Sequence, residues 1–147
     1  DDDSKRLHYS LSATFLGRMC LSGDIYDLTE TQWNIVQKAI SLYKECASVI
    51  KKGHNFRFGP HVKSYNHLQG WQAVCRKSDA GNQMLVVLHT FEKCEGCVAI
   101  ELPGKATDGW KLLQVFAREG VQVKIQENKL CVQGLEEYDG MVALISC

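Results

Sequence analysis

Cys94-Glu95-Gly96-Cys97 is the one C-x-x-C of this 147-residue chain, and two thiols at that spacing are where a zinc ligand set or a redox couple would start. A structural zinc ion needs four ligands, so the pair calls for a second pair or for two well-spaced histidines. No second pair follows, and His89 alone stands near in sequence. The stretch is read as a turn between strands carrying two reduced thiols. Asp1-Asp2-Asp3 concentrates ligand oxygens, but three consecutive carboxylates lack the spacing of a calcium loop and read as a solvated, frayed end. His54, His61 and His67 have no carboxylate or thiol placed beside them in sequence, and surface or packing roles are their ordinary use. Neither a G-x-S-x-G nucleophile turn nor a phosphate-cradling G-x-x-x-x-G-K-[ST] occurs. The residues predict no catalytic group, no metal and no cofactor.

Any site must be held by the elements around it. Tyr9 to Leu21 mixes small, apolar and hydroxyl residues, with Leu11, Ala13, Phe15, Leu16, Met19 and Leu21 among them. That composition predicts a central parallel strand buried on both faces, broken by Ser22-Gly23-Asp24. Thr29-x-x-Gln32 has capping-box spacing, with Leu28 and Trp33 placed as a hydrophobic staple, so a helix should begin near Glu30. Trp33, Val36, Ile40, Tyr43, Ala47 and Ile50, with Ala39 and Cys46 between, form one apolar stripe, and Gly53 is placed to end the helix in a left-handed cap.

Beyond Gly53 the period becomes alternating, and turn residues recur every eight to twelve positions, the pattern of an antiparallel sandwich. Val121, Val123 and Ile125 face one way while Gln122, Lys124 and Gln126 face the other, as in a half-buried strand. Strands are predicted over Asn55–Phe58, Trp71–Lys77, Met84–Glu92, Val98–Leu102, Val121–Gln126, Lys129–Gln133 and Gly140–Ser146. Turns are predicted at Asp79 to Asn82, Glu127-Asn128 and Tyr138 to Gly140. Trp110 to Arg118 fits a strand and a short helix equally. A parallel strand buried on both faces needs neighbours that a single strand-helix unit does not supply.

The composition excludes several classes of function. Seventeen acidic residues balance seventeen basic ones, which removes the basic footprint of nucleic-acid binding. Apolar runs such as Met84 to Leu88 are five residues long, far short of the roughly 20 that span a bilayer, so no membrane segment is expected. Seven cysteines is an odd number, and most lie within apolar periodic segments, which points to free thiols in a reducing cytoplasm. The chain opens at Asp1 without a methionine, as a processed or cut polypeptide would.

"CLSGDIYDLTETQWNIVQKAISLYKECASVIKKG", running into "FRFGP" and then "GWQAVCRKSDAGNQMLVVLHTF", resembles the carboxyl-terminal end of the alpha-galactosidase (melibiase) glycoside hydrolases of family 36 and their retaining relatives. In that family the last barrel strand ends in a Ser-Gly-Asp-like turn, a long helix with a Leu-Tyr-Lys stretch follows, and a β-sandwich beginning near a Gly-Trp pair completes the chain. The resemblance covers most of the sequence and is most specific from Cys20 to Phe91. It implies a retaining hydrolase with two carboxylates about 5 Å apart, both borne by earlier barrel strands that this sequence lacks. No catalytic residue is carried over.

On this resemblance the fold expected is α+β: the last strand-helix unit of a (β/α)8 barrel over residues 1–53, followed by an antiparallel β-sandwich over residues 54–147. Ser22 and Asp24 become substrate-binding candidates, because barrel sites are built from loops at the carboxyl ends of strands. The alternative is that Asp24, Asp27 and Thr29 only shape the turn and cap the helix. Trp71, Trp110, Tyr65 and Tyr138 could stack on sugar rings, although such residues more often fill a sandwich core. The expected function is structural support of the hydrolase's catalytic barrel. The rival is a free-standing β-sandwich module that binds carbohydrate or protein. The partners implied are the barrel of the same parent protein, an oligosaccharide and a second copy through the helix stripe, with no nucleic acid and no membrane.

Overall fold

Met84 to Leu88 and Met141 to Ile145 are apolar at every position, and such runs form strands covered on both faces. In the structure, a computed structural model that describes residues 2–104 and 109–147, they lie side by side in the interior of one sheet. Among the described residues the chain forms α1 (Asp2–Thr14), a 3-10 turn (Ile25–Asp27), α2 (Glu30–Lys52), β1 (His54–Phe58), β2 (Trp71–Lys77), β3 (Gln83–Thr90), β4 (Cys97–Glu101), β5 (Lys111–Phe116), β6 (Gln122–Gln126), β7 (Lys129–Gln133) and β8 (Gly140–Ser146). The strands make a five-stranded sheet, ordered β1-β2-β3-β8-β5, and a three-stranded sheet, β4-β7-β6. All strand pairs are antiparallel. The class is α+β.

Alternation along the strands divides the apolar residues between two cores. Met84, Val86 and Leu88 of β3 and Met141, Ala143 and Ile145 of β8 face the small sheet, where Val98, Ile100, Leu130 and Val132 meet them. Leu85, Val87, Val142 and Leu144 face the other way, onto both helices. The chain is thus layered as helices, large sheet, small sheet. On β6, Val123 and Ile125 are half-buried and Gln122, Lys124 and Gln126 exposed, as the alternation predicts. The two-residue turn Glu127-Asn128 has φ of 50° and 63°, the doubly positive geometry whose twist matches a tight hairpin. The ambiguous stretch from Trp110 to Arg118 is strand β5, with a register shift between Leu112 and Gln114 where it pairs β8.

Three expectations are corrected. No strand occupies Tyr9–Leu21: the segment is helical to Thr14 and irregular from there to the 3-10 turn. Its buried positions are Leu11, Ser12 and Phe15, a spacing that lines one side of a helix. A helix satisfies its backbone groups internally, whereas a strand here would need a neighbour. Second, the stripe on α2 is rotated from the one expected. Ile35, Val36, Ala39, Leu42, Cys46, Val49 and Ile50 are buried, while Trp33 is 39% exposed and Ala47 is exposed. The rotation arises because α2 packs against α1 and the sheet together. Third, Gly53 is extended (φ −76°, ψ 168°), not left-handed. A Cβ there would lie 2.6 Å from Val49 O and 2.7 Å from Lys77 O, so glycine is required by close backbone approach rather than by φ.

The start of α2 at Glu30 and its capping box are as expected. Thr29 Oγ1 accepts from the Gln32 N–H at 3.3 Å, and Gln32 Oε1 accepts from the Thr29 N–H at 2.9 Å, a complete capping box. No helix among the described residues is long and apolar enough to cross a membrane.

Candidate functional site

Asp139 is the carboxylate the fold invests most in. It is 2% exposed and sits in the turn that β8 follows, where Tyr138 has φ 59°. Its carboxylate accepts from Arg118 Nε and Nη2, both at 2.8 Å, and from the Glu136 N–H at 2.7 Å. Its own N–H donates to Thr90 Oγ1 at 2.8 Å, and its carbonyl accepts from the Thr90 N–H at 2.9 Å. Arg118 also donates to the carbonyls of Glu119 and Gly134. Glu136 lies 3.3 Å from Arg118 and 2.8 Å from Lys5, so the cluster ties α1 to the end of β7. The hydrogen bond from Lys5 and the charges of Arg118 and Lys5 hold the Glu136 carboxyl below its ordinary range.

This cluster lines a cleft of about 900 Å3 between α1, α2 and β5, whose wall includes His8, Lys38, Phe116, Arg118 and Glu136. Ile35, Leu42 and Phe116 give it an apolar floor. The His8 ring stacks on Phe116 with centroids 5.0 Å apart, and its Nδ1 lies 2.8 Å from Ser4 O. Burial is the main influence on His8 and lowers its pKa, with Lys38 and Arg118 adding to that effect. Chemically the cluster is a scaffold: the bidentate guanidinium takes both Asp139 oxygens, which leaves no free carboxylate pair there for acid-base work.

The sequence-predicted residues are scattered. Ser22 and Asp24 are exposed in the segment before the 3-10 turn. Asp24 precedes that turn without a side-chain cap hydrogen bond, so of the residues expected to shape this region it is Thr29 that caps α2. Trp110 is buried in the sandwich core, and Trp71 is half-buried against it. Tyr65 and Tyr138 are 88% and 48% exposed. His61 and His67 are exposed, whereas His54 does find a carboxylate, Asp79, at 3.0 Å on the surface. Cys94 is half-buried and Cys97 exposed, with Gly96 between them at φ 78°, in a turn that opens β4. All seven cysteines are free; burial pushes the Cys46 and Cys75 thiols up to about 12, which keeps them protonated and inert. Asp1 lies outside the described residues, and no group of three potential metal-ligating side chains occurs among those described.

Sequence reasoning missed the Arg118–Asp139–Glu136–Lys5 cluster and the role of His8. Tyr138-Asp139-Gly140 was legible as a turn, but its partners lie 21 and 49 positions away at Arg118 and Thr90. Among the described residues two buried side-chain atoms have no hydrogen-bond partner, Trp110 Nε1 in the sandwich core and Ser12 Oγ on α1 beneath the sheet. Ser12→Ala should therefore leave stability unchanged or raise it by about 1 kcal/mol, since a buried hydroxyl without a partner costs more than the methyl that replaces it; equilibrium urea unfolding reads the difference.

No family model matches this chain, and no curated protein matches it. Among solved structures it is similar to one described as "Crystal structure of alpha-amylase from H.orenii", with a TM-score of 0.46 and 17% identity. The superposition covers 79% of this chain and 20% of that one. This chain therefore matches about a fifth of the amylase's length.

Proposed function

We propose that this chain is the carboxyl-terminal, non-catalytic part of a cytoplasmic glycoside hydrolase of the alpha-galactosidase type, supporting the catalytic barrel of the same parent protein. The observation that carries the reading is an order of elements. An exposed Ser22-Gly23-Asp24 segment leads to a capped helix of 23 residues, which passes at Gly53 straight into an antiparallel β-sandwich. That helix-then-sandwich order is the one in the resemblance from Cys20 to Phe91, although helix α1 stands where the resemblance places the last barrel strand. Ser22 and Asp24, both exposed, are the residues that would reach a sugar hydroxyl from this side of the barrel. The barrel's partner surface would include the exposed edge of α2 around Trp33.

The isolated chain should hydrolyse no aryl α-galactoside, while the complete gene product does so with retention of configuration. A complete gene product inactive on α-galactosides would remove the family assignment.

A second reading is favoured by one observation: both cores are covered within the chain itself, the helix-facing one by α1. A free-standing module that binds oligosaccharide or protein needs no barrel to shelter it. Light scattering after size exclusion, with hydrogen exchange over residues 9–50, separates the two. A dimer joined through α2, or fast exchange before Asp24, supports the barrel reading; a protected monomer supports the module.

A further inference from the structure

Helix α1 rests on the large sheet through a contact that only glycine allows. A Cβ on Gly140 would lie 2.8 Å from Tyr9 Cα and 2.9 Å from Ser12 Cβ, so helix and strand meet there with no side chain between them. His89 is the cross-strand partner of Gly140. It is 8% exposed, its Nε2 is 3.3 Å from Tyr9 O, and its ring meets the Tyr9 ring edge-on at 4.8 Å. The neighbouring residue of the helix, His8, is stacked on Phe116 of β5. One imidazole from the helix and one from the sheet thus lie in the same interface.

We propose that α1 is an acid-released latch: protonation of His8 and His89 in mildly acid solution lifts the helix and uncovers Phe116, Val142 and Leu144 while the sandwich stays folded.

The surroundings favour neutral rings. His8 faces Ser4 O and Lys5 of its own helix, Lys38 of α2, Arg118 after β5, and Glu136 and Asp139 before β8. Glu119 also lines the cleft, and the carboxylate whose charge favours a protonated His8, Asp139, is already engaged by Arg118. His89 faces Tyr9 of α1, Gln72 of β2 and Gly140 of β8, none of them charged at neutral pH. Burial lowers the pKa of both imidazoles, against the opposing hydrogen bonds to Ser4 O and Tyr9 O. Tyr9 O is the hydrogen-bond partner the structure gives the His89 ring among the described residues. A released helix returns both rings to water and to their ordinary 6.5.

The docked state therefore binds fewer protons than the released one. Docking is at full strength above pH 6.5 and weakens as pH falls from there toward the lowered values. The Lys5–Glu136 pair persists through this window, because Glu136 is held below 4.5. Between pH 7.5 and 5.5 each imidazole multiplies the release equilibrium by up to about tenfold.

The test is hydrogen exchange on the whole chain at pH 7.5 and 5.5, normalised to unstructured rates, with NMR titration of the two rings. Protection of α1 amides should fall, by up to about a hundredfold, with Ile100 and Leu130 of the inner core unchanged. His89→Gln, which retains a donor for Tyr9 O but cannot ionise, should reduce the pH dependence. Unchanged α1 protection, equal loss at Ile100 and Leu130, or rings titrating at 6.5 or above would each overturn the latch. If His89→Gln does not fold, the titration and exchange of the unaltered protein still decide.

Discussion

Replacing Asp139 with alanine should lower the free energy of unfolding by about 3 to 5 kcal/mol, read as a shift in the urea midpoint. Three donors lose their acceptor together: Arg118 Nε, Arg118 Nη2 and the Glu136 N–H. The guanidinium, 18% exposed by side chain, is left beside an empty place, and an unpaired charge away from water costs more than the pair contributed. Glu136 offers Arg118 a partial substitute at 3.3 Å, which sets the effect toward the lower end of the range. Because Arg118→Ala removes the other half of the same cluster, the double variant should lose clearly less than the sum of the two single losses. Additive losses would show that the two residues act independently, contrary to their geometry.

Ile100→Ala should cost about 3 to 4 kcal/mol. The side chain is fully buried and stands between the two sheets among Met84, Leu130 and Ile145. Its removal forfeits transfer free energy and leaves a cavity that two hydrogen-bonded sheets cannot close by collapse. For a chain of this size each kcal/mol moves the melting temperature by roughly 2 to 4 °C, so a fall of about 10 °C is expected by calorimetry. Leu113→Ala is the matched control: Leu113 is 50% exposed on β5, and its loss should stay within about 0.5 kcal/mol. Equal effects at the two sites would mean that the small sheet is not packed on the large one as described.

That Met84 to Leu88 lies in a strand was legible from its apolar run, but what covers the two faces was not. Met84 to Leu88 could be read as buried on both sides, yet nothing local tells that one cover is the small sheet and the other a pair of helices. His89 shows the limit most sharply. In sequence it is a histidine near a C-x-x-C; in the fold it is the residue opposite Gly140 under α1. The same holds for Asp139, whose turn was legible and whose burial by Arg118 was not.

Signals that act over a few residues were determined by the sequence alone. The Thr29/Gln32 capping box, the Glu127-Asn128 hairpin turn and the bounds of β2, β7 and β8 depend on backbone geometry and side-chain period within one short stretch. The tertiary structure alone decided whether residues 9–21 form strand or helix, which side of α2 is covered, why position 53 must be glycine, and that β5 is a strand. Each of those depends on a partner distant in the chain: a strand needs a neighbour for its backbone groups, and a stripe needs a surface to define it. Local pattern states what a segment can bury; only the assembled layers state what it is buried against.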